Sequence, residues 1–333
     1  MPQAFASFTK SGIPHRSPRG YNEREDISVI ARATVERSAL HTLNHLYPEQ
    51  VMKCIREKGA VLIRNCSSTI DDFERLSNEL LVPMTHHATS TIERDPINSD
   101  ATISTVNKGM DEIPFHREGS YAPGCPDLLM LYCVKPANDA GETTLCDGVA
   151  LLQALSPEIN QFVQSAMLVW SWEALPERWR AYLRASSSEE ALNRIEAMKS
   201  RLSSSEQISI EFIGDVLHGK FATRCVTATR WGEYKAFCNS LLIHHFRLQS
   251  KYFARDRFSV ALADGSPFPV DMLNHISAHA DDLTVEVKWE PGDIFIVDNS
   301  RFMHGRRGFQ DSSRKIFIRM GHLKKIGPSI QKP

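Results

Sequence analysis

Two histidines and a glutamate carry the first chemical signal. In "IPFHREGSY" His116 and Glu118 stand two apart, and residues two apart in an extended segment project to the same side, so both can reach one point. His304 is the best third partner. The stretch "WEPGDIFIVDNSRFMHGRR" gives a Pro-Gly-Asp turn, an apolar strand, a polar Asp298-Asn299 end and then that histidine. Two imidazoles and one carboxylate with open positions are the ligand set of non-haem iron(II) oxygenases, whereas zinc more often recruits a cysteine or a third histidine. Alone, the His-x-Glu pair is a weak sign, because exposed strand ends often carry such residues. His86-His87, His244-His245 and His322 read as surface, helical or core histidines, with His87 placed where it could touch a substrate.

Positioning these residues needs strands. "DLLMLYCVKP", "ETTLCDG", "LTVEVKW", "DIFIVDN" and "KIFIRMG" are short, rich in β-formers and bounded by Pro, Gly and Asp. Ahead of them, "PEQVMKCIREKGAVLIRN" reads as an amphipathic helix, a Gly59 stop and a strand. "TIDDFERLSNELL" then sets Ile70, Phe73, Leu76, Leu80 and Leu81 on one helical face behind the capping candidate Thr69. Between Met84 and Glu112 the periodicity fades, a length uncommon for a structureless connection and therefore read as a functional, lid-like loop. A charged helical insertion with Ser-rich breaks is expected around 171–215. It is read as a lid, an oligomer surface or a solvated face. Distant short strands around helical additions predict a mainly β fold with a sandwich or jelly-roll core.

The chain has 333 residues, 42% hydrophobic and 24% charged, with a net charge of -1. Nothing there is the basic footprint that nucleic acid or an anionic membrane demands, so a small-molecule substrate is the expected partner. No leader pattern or long apolar span is present, and the expected location is the cytoplasm. Seven cysteines form no C-x-x-C pair, which argues for free thiols over a disulfide framework. An irregular arm is expected over 1–25 and a tail over 326–333, around a single domain at 26–325. Homo-oligomerisation is left open.

The segments "EKGAVLIRN", "PFHREGSY", "PDLLMLYCVKPANDAGETTLCDG" and "WEPGDIFIVDNSRFMHGRRGFQDSSRKIFIRM", in that order, resemble the taurine dioxygenase-like family of iron(II)/2-oxoglutarate-dependent oxygenases, including its clavaminate synthase-like members. The resemblance runs from about Tyr47 to Leu323. It implies a double-stranded β-helix (jelly roll) with His116, Glu118 and His304 holding Fe(II), and with 2-oxoglutarate and O2 as co-substrates. Thr143 of "GETT" and Arg314 of "SRKIF" match the residues that hold 2-oxoglutarate. Arg319 matches a second arginine that reaches the co-substrate or an anionic substrate group. Strand alternation puts Arg314 and Arg319 on opposite faces, so either a bulge intervenes or only one points inward; Lys315 shares the Arg319 face.

Glu118 in place of the commoner aspartate is shared with clavaminate-type enzymes, and its presence disfavours halogenation. The activity implied is hydroxylation of an unactivated C–H bond of a small acid, such as an amino acid or natural-product intermediate, releasing succinate and CO2. Desaturation, epoxidation or cyclisation would use the same cofactors. The substrate residues expected are His87, Asn107, Arg230 and Trp231, with Asn239 nearby. The rivals are a metal-dependent hydrolase or isomerase on a cupin-like barrel and a non-catalytic binding protein on the same scaffold.

Overall fold

The computed structural model describes residues 30–34, 48–85, 94–200, 202–232, 234–249 and 258–324. The expected arm and tail, and His87, lie outside them.

Strands that are apolar on both sides need cover on both sides, and "LLMLYCVK" is such a strand. Leu128–Lys135 lies inside a sheet ordered Ile30–Thr34, Ala60–Arg64, Ile294–Asp298, Leu128–Lys135, Lys315–Leu323, Leu81–Pro83, with Ile103–Thr105 also paired to Lys315–Leu323. Only the first pair is parallel. A second, antiparallel sheet runs Val285–Val287, Thr143–Asp147, Phe302–Arg306, Ile113–His116.

Period-two alternation sorts the first sheet's residues into two layers. Val61, Ile63, Leu128, Met130, Ile294, Ile296 and Phe317 pack under the helices Pro48–Lys58 and Ile70–Leu80, against Val51, Ile55, Phe73 and Leu76. Leu62, Leu129, Leu131, Phe295, Val297, Ile316, Ile318 and Met320 face the other way and meet Leu145, Val287 and Phe302 of the second sheet. The two sheets are therefore stacked face to face over one apolar layer. Phe115, Cys146 and Met303, on the far side of the second sheet, join a cluster with Leu151 and Leu152 of the helix Gly148–Ala154 and Ile276 of the helix Val270–Asp282.

Thr69 does cap the second helix, in a reciprocal box with Asp72. Leu81 leaves that helix and opens a strand instead. Within the connection from Met84 to Glu112, Ile103–Thr105 pairs with Lys315–Leu323, and Asn98 ties the turn by accepting from the Ile103 N–H. One larger expectation changes. The insertion around 171–215 is only half helical. The helices Pro176–Leu183 and Ser188–Lys199 sit between strands Met167–Ala174 and Gln207–Ile213 of a third antiparallel sheet, completed by Val216–Arg224 and Phe258–Leu262. "QISIEFI" alternates its exposure residue by residue, as a strand does, and Ser187, one of the supposed breaks, is a helix cap. Among the described residues no helix is long and apolar enough to cross a membrane.

Alternation also settles the two arginines of the last strand. Arg319 shares parity with Phe317 and points to the helices. It is 1% exposed and donates to Thr102 Oγ1, Ser77 Oγ and the Glu74 carbonyl. The expectation that Arg319 reaches co-substrate or substrate is thus corrected: the first sheet lies between its side chain and the inter-sheet layer. Replacing it with methionine removes three hydrogen bonds from a buried, charged donor and leaves Ser77 Oγ without one, while Ser77 and Asn98 still donate to the Glu74 carbonyl and Thr102 Oγ1. Arg319→Met should therefore lower unfolding free energy by about 2–4 kcal/mol, read as an earlier urea midpoint. An unchanged midpoint would deny Arg319 this structural role.

Candidate metal centre

The strand Ile113–His116 pairs with Phe302–Arg306 so that His116 lies directly opposite His304. Directly opposed residues in an antiparallel pair share a face, and the two rings stand 4.3 Å apart between centroids, tilted by 48°. His304 has the parity of Phe302, so both imidazoles enter from the second sheet toward the layer between the sheets. His116 Nδ1 lies 2.9 Å from the Pro114 carbonyl oxygen. That bond places the proton on Nδ1 and leaves the Nε2 lone pair for a ligand role.

Glu118 follows just beyond the strand, where side-chain hydrogen bonds replace the ladder. Its N–H donates to Asn299 Oδ1, and Asn299 Nδ2 donates back to the carbonyls of Glu118 and Pro126. Asn299 is itself fully buried, one residue past the strand Ile294–Asp298. Glu118 Oε2 is 3.7 Å from His116 Nε2 and 3.9 Å from His304 Nε2. Oε1 faces a different group, Arg94 Nη2, at 3.6 Å.

Burial pushes the Glu118 carboxyl toward protonation, but Arg94 and the imidazoles of His116 and His304 outweigh it and hold the group well below the usual carboxylate range. His304 moves down to about 3, through burial first and then His116, with Glu118 opposing. A carboxylate and a neutral imidazole are the protonation states that bind a cation.

One donor atom from each of His116, Glu118 and His304 lies within 4.8 Å of the others. A metal about 2.1 Å from each donor requires donors roughly 3 Å apart, so Glu118 Oε2, at 3.7 and 3.9 Å from the two imidazole nitrogens, needs to close on each by less than about 1 Å. His304 Nδ1 is buried without a hydrogen-bond partner, leaving that ring fixed by packing and by whatever its Nε2 binds. The residues present fit an ion of the two-imidazole, one-carboxylate class.

Beyond His304 on the same strand parity comes Arg306, opposite Thr143 in register. Arg306 is 6% exposed. Its Nη atoms donate to the carbonyls of Asn107, Gly109 and Asp111, while Nε has no partner. Arg306 and Arg314 bracket the Phe309 ring, with guanidinium carbons 5.0 and 5.2 Å from its centroid. Burial takes Arg306 down to about 10, and burial plus the like charge of Arg306 does the same to Arg314.

Arg314 Nε donates to the Gly141 carbonyl at 3.1 Å. Gly141 has φ +80°, and a side chain there would come to 3.0 Å from Arg314 Cδ and Nε; both conditions demand glycine. Thr143 Oγ1 accepts from Trp289 Nε1 and is buried. Two crowded guanidiniums next to an inward hydroxyl make a place for an anion.

Of the substrate residues expected, the structure ties Asn107 to the centre: its Oδ1 accepts from Arg94 Nε at 2.8 Å. Arg230 and Trp231 sit in the turn between Thr227–Ala228 and Lys235–Ala236. Arg230 is ion-paired with Asp127 at 2.7 Å, and Trp231 packs against the helix-covered cluster of the first sheet. Asn239 uses its side chain on the Cys225 carbonyl and the Leu241 N–H. Three residues of the centre escaped sequence reasoning, namely Arg94, Arg306 and Asn299. The Arg306 and Asn299 positions were signalled by parity with His304 and by the polar end of an apolar strand; Arg94 had no signal.

Among known proteins, the chain is 21% identical over 277 residues to a clavaminate synthase-like protein of Arabidopsis thaliana, covering 78% of this chain and 81% of that one. It is 21% identical over 343 residues to a dapdiamide synthesis protein of Enterobacter agglomerans, covering 96% and 94%. Its fold is similar to that of a taurine dioxygenase from Burkholderia xenovorans, with a TM-score of 0.52 at 14% identity, over 87% of this chain and 85% of that one. The model of the taurine catabolism dioxygenase TauD, TfdA family matches residues 31–320, and the chain belongs to that family.

Proposed function

We propose that the protein hydroxylates an unactivated C–H bond of a small acid, with release of succinate and CO2. It is an iron(II)- and 2-oxoglutarate-dependent oxygenase by family, and the observation that carries the finer reading is the layout of the layer between the sheets. A metal-competent His116, Glu118, His304 triad and the arginine pair at Phe309 are linked by the strand Phe302–Arg306, which carries both His304 and Arg306. That spacing suits a ligand with a chelating end and a distant carboxylate. The stacked sheets are read as a double-stranded β-helix within one domain over 26–325.

When bound, iron(II) and 2-oxoglutarate supply the oxidising power. The chain's residues supply geometry. His116 Nε2, Glu118 Oε2 and His304 Nε2 would hold the ion, and Arg314 and Thr143 the far carboxylate of 2-oxoglutarate. Leu145, Ile316, Ile318 and Met320 form the apolar layer that keeps water from the reacting centre. Arg94 beside Glu118 and the Arg306–Arg314 pair at Phe309 give the layer an excess of positive charge, which favours acids as ligands. The dapdiamide synthesis relative supports a natural-product intermediate as the substrate class.

Anaerobic titration of metal-free protein with iron(II) and then 2-oxoglutarate should raise a visible metal-to-ligand charge-transfer band that His116→Ala abolishes. Metal binding without a band would remove 2-oxoglutarate from the reading, and no metal binding would leave a scaffold protein. Arg314→Ala removes a charge-assisted contact worth about 1.5–3 kcal/mol, equivalent to roughly 10- to 100-fold in affinity. The variant should weaken 2-oxoglutarate by that factor and leave iron(II) affinity unchanged. Normal 2-oxoglutarate binding in Arg314→Ala would dismiss Arg314 as the carboxylate's partner.

A further inference from the structure

The two oxygens of Glu118 face different partners. Oε2 is turned to both imidazoles, at 3.7 and 3.9 Å, and Oε1 to Arg94 Nη2, at 3.6 Å. We propose that Arg94 is a positioning residue that reserves Oε1 for itself, so that Glu118 can give a metal only one oxygen. This deepens the metal reading above and rests on it.

A glutamate needs such a constraint more than an aspartate does. Its extra methylene adds a rotor, and a carboxylate with that freedom can bind a divalent ion through one oxygen or two. The difference matters for this ligand set. An octahedral ion held by two imidazoles and one oxygen keeps about three positions open, enough for a chelating co-substrate and one more ligand; a second Glu118 oxygen would leave about two.

Arg94 is built for the task. Its side chain is 6% exposed, and Nε donates to Asn107 Oδ1 at 2.8 Å. The Asn107 carbonyl is in turn held by Arg306 Nη1 at 3.1 Å. Arg306 lies on the strand that carries His304. A continuous path of contacts therefore leads from one proposed ligand, through Arg94, Asn107 and Arg306, to the strand bearing another. Fixing a ligand through its outer hydrogen-bond partner is how metal sites set geometry beyond the ligands themselves.

Manganese(II) tests this without turnover, because water-proton relaxation counts the exchangeable waters on the bound ion. The wild-type complex should hold about three waters, falling to about one when 2-oxoglutarate is added. Arg94→Met should hold about two, falling to none, while Arg94→Lys, which keeps a donor and a charge, should restore the wild-type pattern. If Arg94→Met does not fold, Asn107→Ala serves in its place: it leaves the arginine but removes the acceptor that aims it, and should lose water in the same direction.

Equal relaxation in wild type and in the variants, with and without 2-oxoglutarate, would overturn the positioning role. A wild type that takes up no manganese overturns the metal reading and this inference together. A wild type that binds manganese but keeps its waters when 2-oxoglutarate is added overturns the co-substrate reading only, and the metal-only comparison still decides the role of Arg94.

Discussion

A carboxylate enclosed within a protein costs several kcal/mol unless cations and donors surround it, and the centre is organised around that cost at Glu118. Arg94 and two imidazoles compensate the charge, while Asn299 holds the main chain that carries it. Each compensating group is bound to a rigid element. His116 and His304 lie on paired strands, Asn299 lies at the end of a central strand, and Arg94 is fixed through Asn107 to Arg306. The centre is thus in place before any ion arrives, and a cation entering between Oε2 and the imidazoles replaces weak contacts with ligand bonds.

The arginine end has the opposite imbalance. Arg306 and Arg314 lie on one phenylalanine ring with burial and mutual repulsion both acting against their charge. Carbonyls of the 107–111 segment and of Gly141 offset part of this. An anion would offset more. A negative group closed in near one end of the layer and positive groups near the other would orient a ligand that carries a cation-binding end and a carboxylate.

The sequence made the scaffold legible where periodicity was strong. The strands around Leu129, Thr143, Phe295 and Ile316 and the helix behind Thr69 are visible because alternation and capping are local. The triad was legible for the same reason, since His116-x-Glu118 needs only an extended backbone and His304 only the end of a strand. Arg94 was not legible, because its approach to Glu118 depends on how a segment with no periodicity crosses the sheet. The third sheet was hidden by composition: charged residues between Ser-rich breaks read as helix, although "QISIEFI" alternates. Arg230 and Trp231 attracted notice by residue type alone, and their side chains engage Asp127 and the helix-covered cluster of the first sheet.

Arg319 shows how a residue on one face of a strand bears on what the other face presents. Lys315–Leu323 carries Ile316, Ile318 and Met320 into the layer between the sheets, with Arg314 just before its start and Arg319 on the opposite face. A slip of one residue would exchange the faces of all of them, placing a guanidinium in the apolar layer and removing apolar cover from beside the metal centre. The hydrogen bonds from Arg319 to Ser77, the Glu74 carbonyl and Thr102 are available in one register only. They therefore fix where the strand lies, and with it where Arg314 emerges. The arginine that the resemblance assigned to ligand binding is held on the helix-covered face of the strand, where its contacts bear on strand register.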